Sequence, residues 1–382
     1  MKIVYLYTAL TTMGGADRIL TQKANYLADH SGHKVYIVTD SQEERPYIFP
    51  LSQRIKHIDL AINFGRMYGH PLFINFFYYV RLMRKYKKQL EKLLADLQPD
   101  IVISTLGREM DFLTSLKDGS QKIGEAHIAK RHMRNLHLME DKGGISKIVA
   151  RYWRHHQEKK IKRLDAFVVL TCEDAKNWKC IRETIVIPNP LTIDCKQKSL
   201  CTSKNAISAG RLSEQKGYDL LIEAWREVAR KHPDWNLNIY GEGEWKDRLE
   251  AKITQYRLES HIQLCPPTHH IIEKYAESAF YIMSSRFEGF GLVLTEAMTC
   301  GLPCISFDCP SGPAEIIRQN EDGILVENGN IKQLTESICY MIEHENERKE
   351  MGKRAVENVQ RFSEIRIMNK WEQLFNSLIN ER

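Results

Sequence analysis

Several features that would assign a chain of this length to another class of protein are missing from the sequence. The nine cysteines are odd in number and contain no Cys-x-x-Cys pair, which argues against a disulfide scaffold and a zinc site. No apolar run reaches the roughly 18 residues of a membrane span, and Lys2–Tyr7 reads as a strand rather than a signal peptide. No complete Gly-x-Gly-x-x-Gly occurs, which argues against a dinucleotide dehydrogenase. We therefore expect a cytoplasmic protein with reduced cysteines.

Length and composition fit a globular protein of two domains. The chain has 382 residues, of which 43% are hydrophobic and 27% charged, and it is too long for one ordinary core. Residues 1–200 carry a formal charge of +12 and residues 201–382 carry −6, against +6 for the whole chain. This division indicates that the two halves face different partners. No RNP, KH or zinc-finger pattern is present, so we expect no nucleic acid partner.

Short apolar runs alternate with amphipathic stretches, a pattern typical of parallel sheets covered by helices. We predict six strands in each half of the chain. They are 3–7, 35–39, 101–104, 122–125, 167–170 and 185–187, then 206–209, 237–240, 262–264, 280–283, 304–307 and 323–326. The prolines of Pro188-Asn189-Pro190 mark a boundary. We predict domains at 1–190 and 191–361, followed by a helix over 362–382 with apolar residues at near-helical spacing.

The most informative segment, 284–298, joins an apolar strand to a helix through a turn that contains glycine. Glycine lets the backbone approach a ligand closely. The amides of Phe290, Gly291 and Leu292 are expected to face an anion at the helix N-terminus. Glu288 lies in the turn, and Glu296 lies eight positions later, about one turn into the helix. Amides for phosphate, with carboxylates beside them for hydroxyl groups, suit a nucleotide-sugar.

This segment resembles the Glu-x7-Glu signature of retaining glycosyltransferases of family 4. The resemblance covers nearly the whole chain and is strongest over residues 205–330. It implies an α/β protein with the GT-B fold, in which two Rossmann-like, doubly wound parallel-sheet domains face each other across a central cleft. It also implies that the first domain binds the acceptor and the second the nucleotide-sugar. The last helix would cross back to the first domain, as in these enzymes.

Two further turns carry candidate donor-binding residues. Gly14 and Gly15 follow the first strand and suit a phosphate or sugar cradle, although a plain tight turn is about as good an interpretation. They resemble the Gly-Gly-x-Glu-Arg loop of the family, with Asp17 in place of Glu. Arg211 and Lys216 flank a helix start, where two cations would neutralise a diphosphate. Solvated surface cations are the alternative, and the resemblance to the Gly-Arg-…-Lys-Gly motif favours the diphosphate.

Two other sites complete the set of candidates, and a third turn departs from the family pattern. Gly241 lies in a Gly-x-Gly turn similar to the one that lines the donor cleft in the family, and a simple strand-to-helix turn explains it nearly as well. His127 ends a strand, where it would face the crevice of an α/β domain; an ordinary hydrogen-bonded histidine is equally consistent with its position. Glu125-Ala126-His127 resembles the Ser-Glu-His segment of the family. Pro266 and Pro267 depart from the family pattern near the nucleobase.

The resemblance implies a mechanism. Glu296 would accept hydrogen bonds from the ribose, and Glu288 and His127 would position the sugar hydroxyls. Arg211, Lys216 and the amides near Gly291 would stabilise the leaving diphosphate in place of a metal ion, so we expect no metal and no cofactor besides the nucleotide-sugar. No nucleophile is evident on the far face of the sugar. We therefore expect same-face attack, in which the departing phosphate helps to deprotonate the acceptor.

Two basic segments have no place in this mechanism. Residues 81–92 follow an aromatic run over 73–79, and residues 130–163 hold eleven Lys and Arg against three Asp and Glu, with Tyr152 and Trp153 among them. A basic helix beside aromatic residues can lie on an anionic membrane. A solvated helix face is the alternative. If these segments lie on a membrane, the protein would attach peripherally to the inner face of the cell membrane.

The sequence thus predicts a glycosyltransferase of the hexosyltransferase type. It would move a sugar from a nucleotide-sugar, with UDP-sugars favoured over GDP-sugars, to a glycan or lipid-linked acceptor of cell-surface polysaccharide. Two alternatives stay open. One is a nucleotide-sugar epimerase of GT-B shape, which needs no acceptor. The other is a non-catalytic sugar-binding protein that keeps the fold.

Overall fold

A computed structural model describes residues 1–67, 72–179, 181 and 183–380, without the side chains at 66, 67, 72–74, 134, 135 and 145. The chain divides into two compact units. Unit 1 comprises residues 1–188 and the chain from Ile365 onward, and unit 2 comprises Asn189–Glu364. The predicted boundary at 190 lies two residues from the first division.

Unit 1 is built on a parallel sheet of seven strands. The strands are β1 Lys2–Tyr7, β2 Lys34–Thr39, β3 Lys56–Asp59, β4 Ile101–Ser104, β5 Gln121–Ala126, β6 Ala166–Val169 and β7 Ile185–Val186. The helices are α1 Gly15–Asp29, α2 Leu72–Leu97, α3 Leu136–Asp141, α4 Gly144–Ile161 and α5 Cys172–Asn177. The spatial order is β3-β2-β1-β4-β5-β6-β7, so the chain winds outward in both directions from β1.

Both faces of this sheet are covered. In β1, Ile3 and Tyr5 belong to one buried cluster and Val4 and Leu6 to another, because successive side chains of a strand point to opposite faces. Burial on both faces explains why β1 is almost continuously apolar. Ile3 aligns with Val35 of β2 on one side and with Ile101 of β4 on the other.

Unit 2 repeats this architecture with a parallel sheet of six strands. The strands are β8 Asn205–Ala209, β9 Asn236–Tyr240, β10 Ile262–Cys265, β11 Phe280–Met283, β12 Cys304–Asp308 and β13 Gly323–Glu327, in the order β10-β9-β8-β11-β12-β13. The helices are α6 Tyr218–Lys231, α7 Lys246–Gln255, α8 Ile271–Ala276, α9 Leu292–Thr299, α10 Pro313–Ile316, α11 Ile331–Glu343 and α12 Glu345–Val359.

The last helix, α13 Glu364–Asn380, packs within unit 1. Its buried residues Ile367, Trp371 and Phe375 recur every four positions and join the cluster that contains Ile3 and Tyr5. This spacing places them on one face of the helix, which covers the sheet.

The prediction of two Rossmann-like, doubly wound parallel-sheet domains is confirmed, and all twelve predicted strands are present. One strand was missed: β3, with the sequence Lys-His-Ile-Asp, lies at the edge of the first sheet and is only partly buried. Across the described residues, no helix combines the length and the apolar character that crossing a bilayer requires.

Candidate functional site

The predicted donor-binding residues of unit 2 collect at the carboxyl edge of its sheet. The chain passes from β8 outward to β9 and β10, and then returns to place β11 on the other side of β8. Ligands of open parallel sheets bind beside the strand ends where the winding direction reverses. In unit 2 this position lies between the ends of β8 and β11, which lead to Lys216 and to Glu288.

The closest contact between two predicted site residues is an ion pair. Lys216 Nζ lies 2.7 Å from Glu288 Oε1, and these side chains are 17% and 9% exposed. Gly217, which follows the lysine, has a φ of +63°, and a Cβ on it would lie 2.1 Å from the carbonyl oxygen of Ser284. Only glycine fits this close backbone approach. The turn after β8 is thereby held against the turn after β11.

The turn after β11 fixes the carboxylate of Glu288. Ser285 Oγ donates to Glu288 Oε1 at 2.6 Å, and the Glu288 amide donates to the carbonyl of Pro310 at 3.2 Å. One carboxylate oxygen therefore accepts bonds from both an ammonium and a hydroxyl. These two bonds position the carboxylate before a ligand arrives.

Helix α9 starts directly behind this turn. Gly291 is its N-cap residue, with a φ of +99° that favours glycine, and Phe290 is buried beside it. The first backbone amides of a helix have no partner within the helix and carry its positive end. Phe290, Gly291 and Leu292 thus occupy the N-terminus of α9, as predicted from the sequence, and this helix end suits an anion.

Glu296 lies on α9 and is mostly buried. Its Oε1 accepts a hydrogen bond from Thr192 Oγ1 at 2.8 Å. The sequence analysis did not identify Thr192, because it lies 104 positions away in the segment between the sheets and no motif marks it.

The other two candidates of unit 2 lie on adjoining turns. Arg211 is exposed and has no ion-pair or hydrogen-bond partner among the residues that the structure describes, so its guanidinium can take up an anion. Gly241 donates its amide to the carbonyl of Cys265 at 2.9 Å, and a Cβ on it would lie 1.9 Å from the carbonyl oxygen of Gly210. Gly241 therefore fits closely against the turn that carries Arg211.

A second ion pair supports the site and was also missed. Arg286 binds Asp219 through two hydrogen bonds of 2.9 and 2.8 Å, and it donates to the carbonyl of Glu214. Burial opposes the ionisation of Asp219, but the Arg286 guanidinium outweighs it and lowers the pKa of Asp219. Hydrogen bonding to Asp219 raises the pKa of Arg286. This fork holds the turn after β11 to the start of α6.

In unit 1, Gly14 and Gly15 stand at the start of α1. Gly14 is the N-cap residue and Gly15 the first residue of the helix. The buried Asp17 accepts hydrogen bonds from the Tyr7 hydroxyl at 2.6 Å and from the Thr12 amide at 2.8 Å. Burial and the bond to Asp17 raise the pKa of Tyr7. Asp17 thus has a structural role, in which it fixes the loop that precedes the two glycines.

His127 follows β5 in unit 1 and lies beside a buried ion pair. Its Nε2 is 3.4 Å from Oε1 of Glu125, and the same oxygen contacts the ammonium of Lys23. Burial opposes the ionisation of Glu125, but Lys23 and His127 together bring the pKa of Glu125 well below its usual range. Burial lowers the pKa of Lys23, and the carboxylate partly offsets this effect. The structure therefore places His127 next to a charged carboxylate that the sequence analysis did not assign a role.

One group of side chains within the described part of the chain could hold a metal ion: His232, Cys339 and Glu343. His232 Nε2 lies 3.0 Å from Glu343 Oε1. None of the predicted site residues belongs to this group. The predicted site in unit 2 instead combines the cations Arg211 and Lys216 with a helix N-terminus and two carboxylates. That combination can bind a diphosphate and accept hydrogen bonds from hydroxyl groups.

Comparison with known proteins agrees with this chemistry. Residues 194–358 match the family described as Glycosyl transferases group 1. An exopolysaccharide phosphotransferase of Streptomyces coelicolor is 34% identical over 57% of this chain and 24% of its own length. An uncharacterised glycosyltransferase of Haemophilus influenzae is 27% identical over 89% of this chain and 90% of its own. The chain thus spans about a quarter of the first relative and most of the second.

A solved structure of TarM from Staphylococcus aureus, in complex with fondaparinux, alpha-GlcNAc-glycerol and UDP, matches the fold. The TM-score is 0.79 at 18% identity, and the match covers 98% of this chain and 99% of that one. The GT-B fold predicted for the chain is confirmed. The family match and the relative named as a glycosyltransferase support the prediction of a transferase enzyme.

Proposed function

We propose that this chain, whose residues 194–358 match the family described as Glycosyl transferases group 1, transfers a sugar from a nucleotide-sugar to an acceptor in cell-surface polysaccharide synthesis. The acceptor is a glycan or a lipid-linked glycan, and the anomeric configuration is retained, as in family 4. The observation that carries the proposal is the Lys216–Glu288 pair. It lies beside the N-terminus of α9, at the point of the sheet where ligands of such folds bind.

When the donor binds, Lys216 and Glu288 contact different parts of it. The diphosphate competes with Glu288 for the Lys216 ammonium, and Arg211 and the first amides of α9 contribute further positive charge. Glu288, released from Lys216 and still bonded to Ser285, accepts hydrogen bonds from the sugar hydroxyls. Glu296, held by Thr192, accepts them from the ribose.

The same groups favour the transition state over bound substrate. Negative charge grows on the diphosphate as the glycosidic bond breaks, so fixed cations stabilise the transition state more than the ground state. These cations take the role that a metal ion has elsewhere, and we propose that transfer needs no metal. The departing phosphate accepts the proton of the acceptor hydroxyl on the same face of the sugar, with His127 positioning the sugar.

Two considerations support a UDP-sugar and retention. The TarM structure holds UDP together with alpha-GlcNAc-glycerol. An α-linked product formed from an α-linked nucleotide-sugar keeps the anomeric configuration. The S. coelicolor relative is named for exopolysaccharide, which supports a polysaccharide acceptor.

We also propose that unit 1 attaches to an anionic membrane. On α4, the side chains of Ile148 and Tyr152 are 68% and 63% exposed, and Lys147, Arg151 and Lys159 are exposed on the same helix. On α2, Phe76 and Phe77 are exposed, and so are the lysines and arginines of residues 81–92. Apolar and aromatic side chains among exposed cations suit the surface of an acidic lipid bilayer.

The membrane proposal is tested by sedimentation with vesicles of phosphatidylglycerol and of phosphatidylcholine. We expect binding to the first only, and its loss in the double variant Ile148→Ser with Tyr152→Ser. Leu200→Ser is the control, because Leu200 is even more exposed, at 76%, but lies in unit 2. Equal binding by the double variant and the control would contradict the proposal.

The transferase proposal is tested by nucleotide release from a panel of UDP- and GDP-sugars in the presence of EDTA. We expect slow hydrolysis of one UDP-sugar by the wild type. Release should fall at least about 100-fold in Glu288→Gln, the loss typical of a group that acts in the transition state, and also in Arg211→Met. Arg230→Met is the control, because Arg230 is exposed and pairs with Glu227 on α6.

Two outcomes would contradict the proposal. Conversion of the donor sugar to an epimer, with its nucleotide still attached, would identify an epimerase. Failure to bind any nucleotide-sugar by calorimetry would identify a protein that keeps the fold without the activity. If a UDP-sugar binds and is not hydrolysed in this donor-only assay, addition of short glycan or polyprenyl-linked acceptors should start turnover.

A further inference from the structure

A buried charge cluster in unit 1 is not explained by the fold alone. Lys23 on α1 and Glu125 on β5 are both about 1% exposed. Glu125 is the last residue but one of β5, and His127 follows the end of the strand directly. Glu125 Oε1 contacts both the Lys23 ammonium and His127 Nε2, the latter at 3.4 Å.

The cluster is only partly satisfied. Glu125 Oε2 is buried and has no hydrogen-bond partner among the described residues, and the 3.4 Å contact from His127 Nε2 is longer than a normal hydrogen bond. A buried ion pair often stabilises a fold no more than well-packed apolar residues of similar volume do. An incomplete one is therefore a poor structural device. Long hydrogen bonds to catalytic groups commonly tighten only when substrate binds.

Lys23 is enclosed by aromatic rings. Its ammonium lies 4.1 Å from the ring centre of Trp371 on α13 and 5.8 Å from that of Tyr5 on β1. These rings stabilise a cation without supplying a hydrogen-bond acceptor. Glu125 is therefore the anion to which Lys23 is bound, and this pair lies next to His127.

We propose that Glu125 is a positioning residue for His127. Its carboxylate accepts a hydrogen bond from Nε2–H, which fixes the imidazole and leaves Nδ1 for the substrate. The Lys23 ammonium limits how strongly this carboxylate attracts a second proton to the ring. This inference rests on the proposed function in one respect, which is that His127 contacts the sugar. The arrangement of the three side chains in unit 1 is independent of it.

The sign of each perturbation follows from the charges around the ring. The charged groups next to the His127 imidazole are Glu125 and, through Glu125, Lys23. The carboxylates of Glu125 and of Glu372 on α13 both act on the nearby Tyr5 hydroxyl. Removing the carboxylate leaves the imidazolium without its anion. Removing the Lys23 ammonium leaves the full negative charge of Glu125 to act on the His127 imidazolium. The two changes must shift the titration of His127 in opposite directions.

The test is a pH titration of the histidine side chains by NMR in the full chain, with His127→Ala to assign the signal. We expect the His127 midpoint to fall by about one pH unit in Glu125→Gln and to rise by about one in Lys23→Met. The double variant should lie between them. This readout needs no turnover, so it tests the positioning role even if no sugar transfer is found.

Activity provides the second readout. If the wild type hydrolyses a donor, one limb of its kcat-against-pH profile should be absent in His127→Ala. In Glu125→Gln and in Lys23→Met, this limb should shift in the same direction as the NMR midpoint of His127. Equal midpoints in wild type, Glu125→Gln and Lys23→Met would overturn the proposal. A uniform loss of activity at every pH, with an unmoved limb, would also overturn it, because that is the effect of a structural ion pair.

Discussion

Replacing Lys216 by methionine and Glu288 by glutamine, singly and together, measures how strongly the two side chains are coupled. Their 2.7 Å contact is a hydrogen bond between charged groups that are 17% and 9% exposed. Such bonds contribute about 1.5–3 kcal/mol, and residues of one network show coupling of roughly 0.5–3 kcal/mol. We therefore expect a coupling free energy of about 2 kcal/mol. Each single variant should lower the melting temperature of unit 2 by about 4–8 °C.

The measurement is calorimetry of the four proteins, without and with saturating UDP. The exposed pair Lys204–Asp234 of the same unit is the control, with side chains 62% and 54% exposed, and its coupling should be below about 1 kcal/mol. UDP should reduce the coupling of Lys216 with Glu288, because the diphosphate takes over the ammonium. A coupling below about 0.5 kcal/mol without UDP would refute the argument that the pair is a fixed part of the site.

Three further perturbations probe the fold around the site. Gly217→Ala should destabilise unit 2 by more than about 3 kcal/mol in urea unfolding, since a Cβ would meet a backbone oxygen. Gly329 has a similar positive φ but open space around it, so the control Gly329→Ala should cost only about 1 kcal/mol. Trp371→Ala should cost about 3–5 kcal/mol by leaving a cavity under α13, with Trp371→Phe much milder; equal losses in denaturant midpoint would contradict this. The pKa of Asp219 is lowered in the fold, so its ionised form stabilises the protein above its unfolded pKa of about 3.9, and this effect is lost as the pH falls further. The urea midpoint should therefore fall less steeply between about pH 5 and pH 3 in Asp219→Asn than in the wild type.

The sheets were predictable because their strands are buried on both faces. An apolar run that is bounded by turn residues marks such a strand without reference to its neighbours. The strand β3 carries Lys56, His57 and Asp59 at a sheet edge, so its sequence is no more apolar than a loop. Only its pairing with β2 makes it a strand, and that pairing is not readable from local composition.

The site was predictable in its local parts and not in its contacts. The glycine turn, the helix start and the charged residues all follow from spacing along the chain. Lys216 and Glu288 are 72 positions apart, and Lys23 and Glu125 are 102 apart. The sequence therefore assigned Lys216 and Glu288 separate ligands, whereas the structure pairs them with each other. Lys23 lies in a helix, where a lysine is normally solvated, and only the packing of α13 over it encloses it.

The placement of α13 also affects how the protein folds during synthesis. Unit 2 is continuous in the chain, so it can fold as soon as its own residues have left the ribosome. Unit 1 is not continuous, because the sheet face around Ile3 and Tyr5 is covered by a helix that is made after unit 2. Domains usually fold in the order in which they are made. Here the apolar face of the first unit stays uncovered until the second unit has been made, so the last step in building unit 1 has to wait for the synthesis of α13.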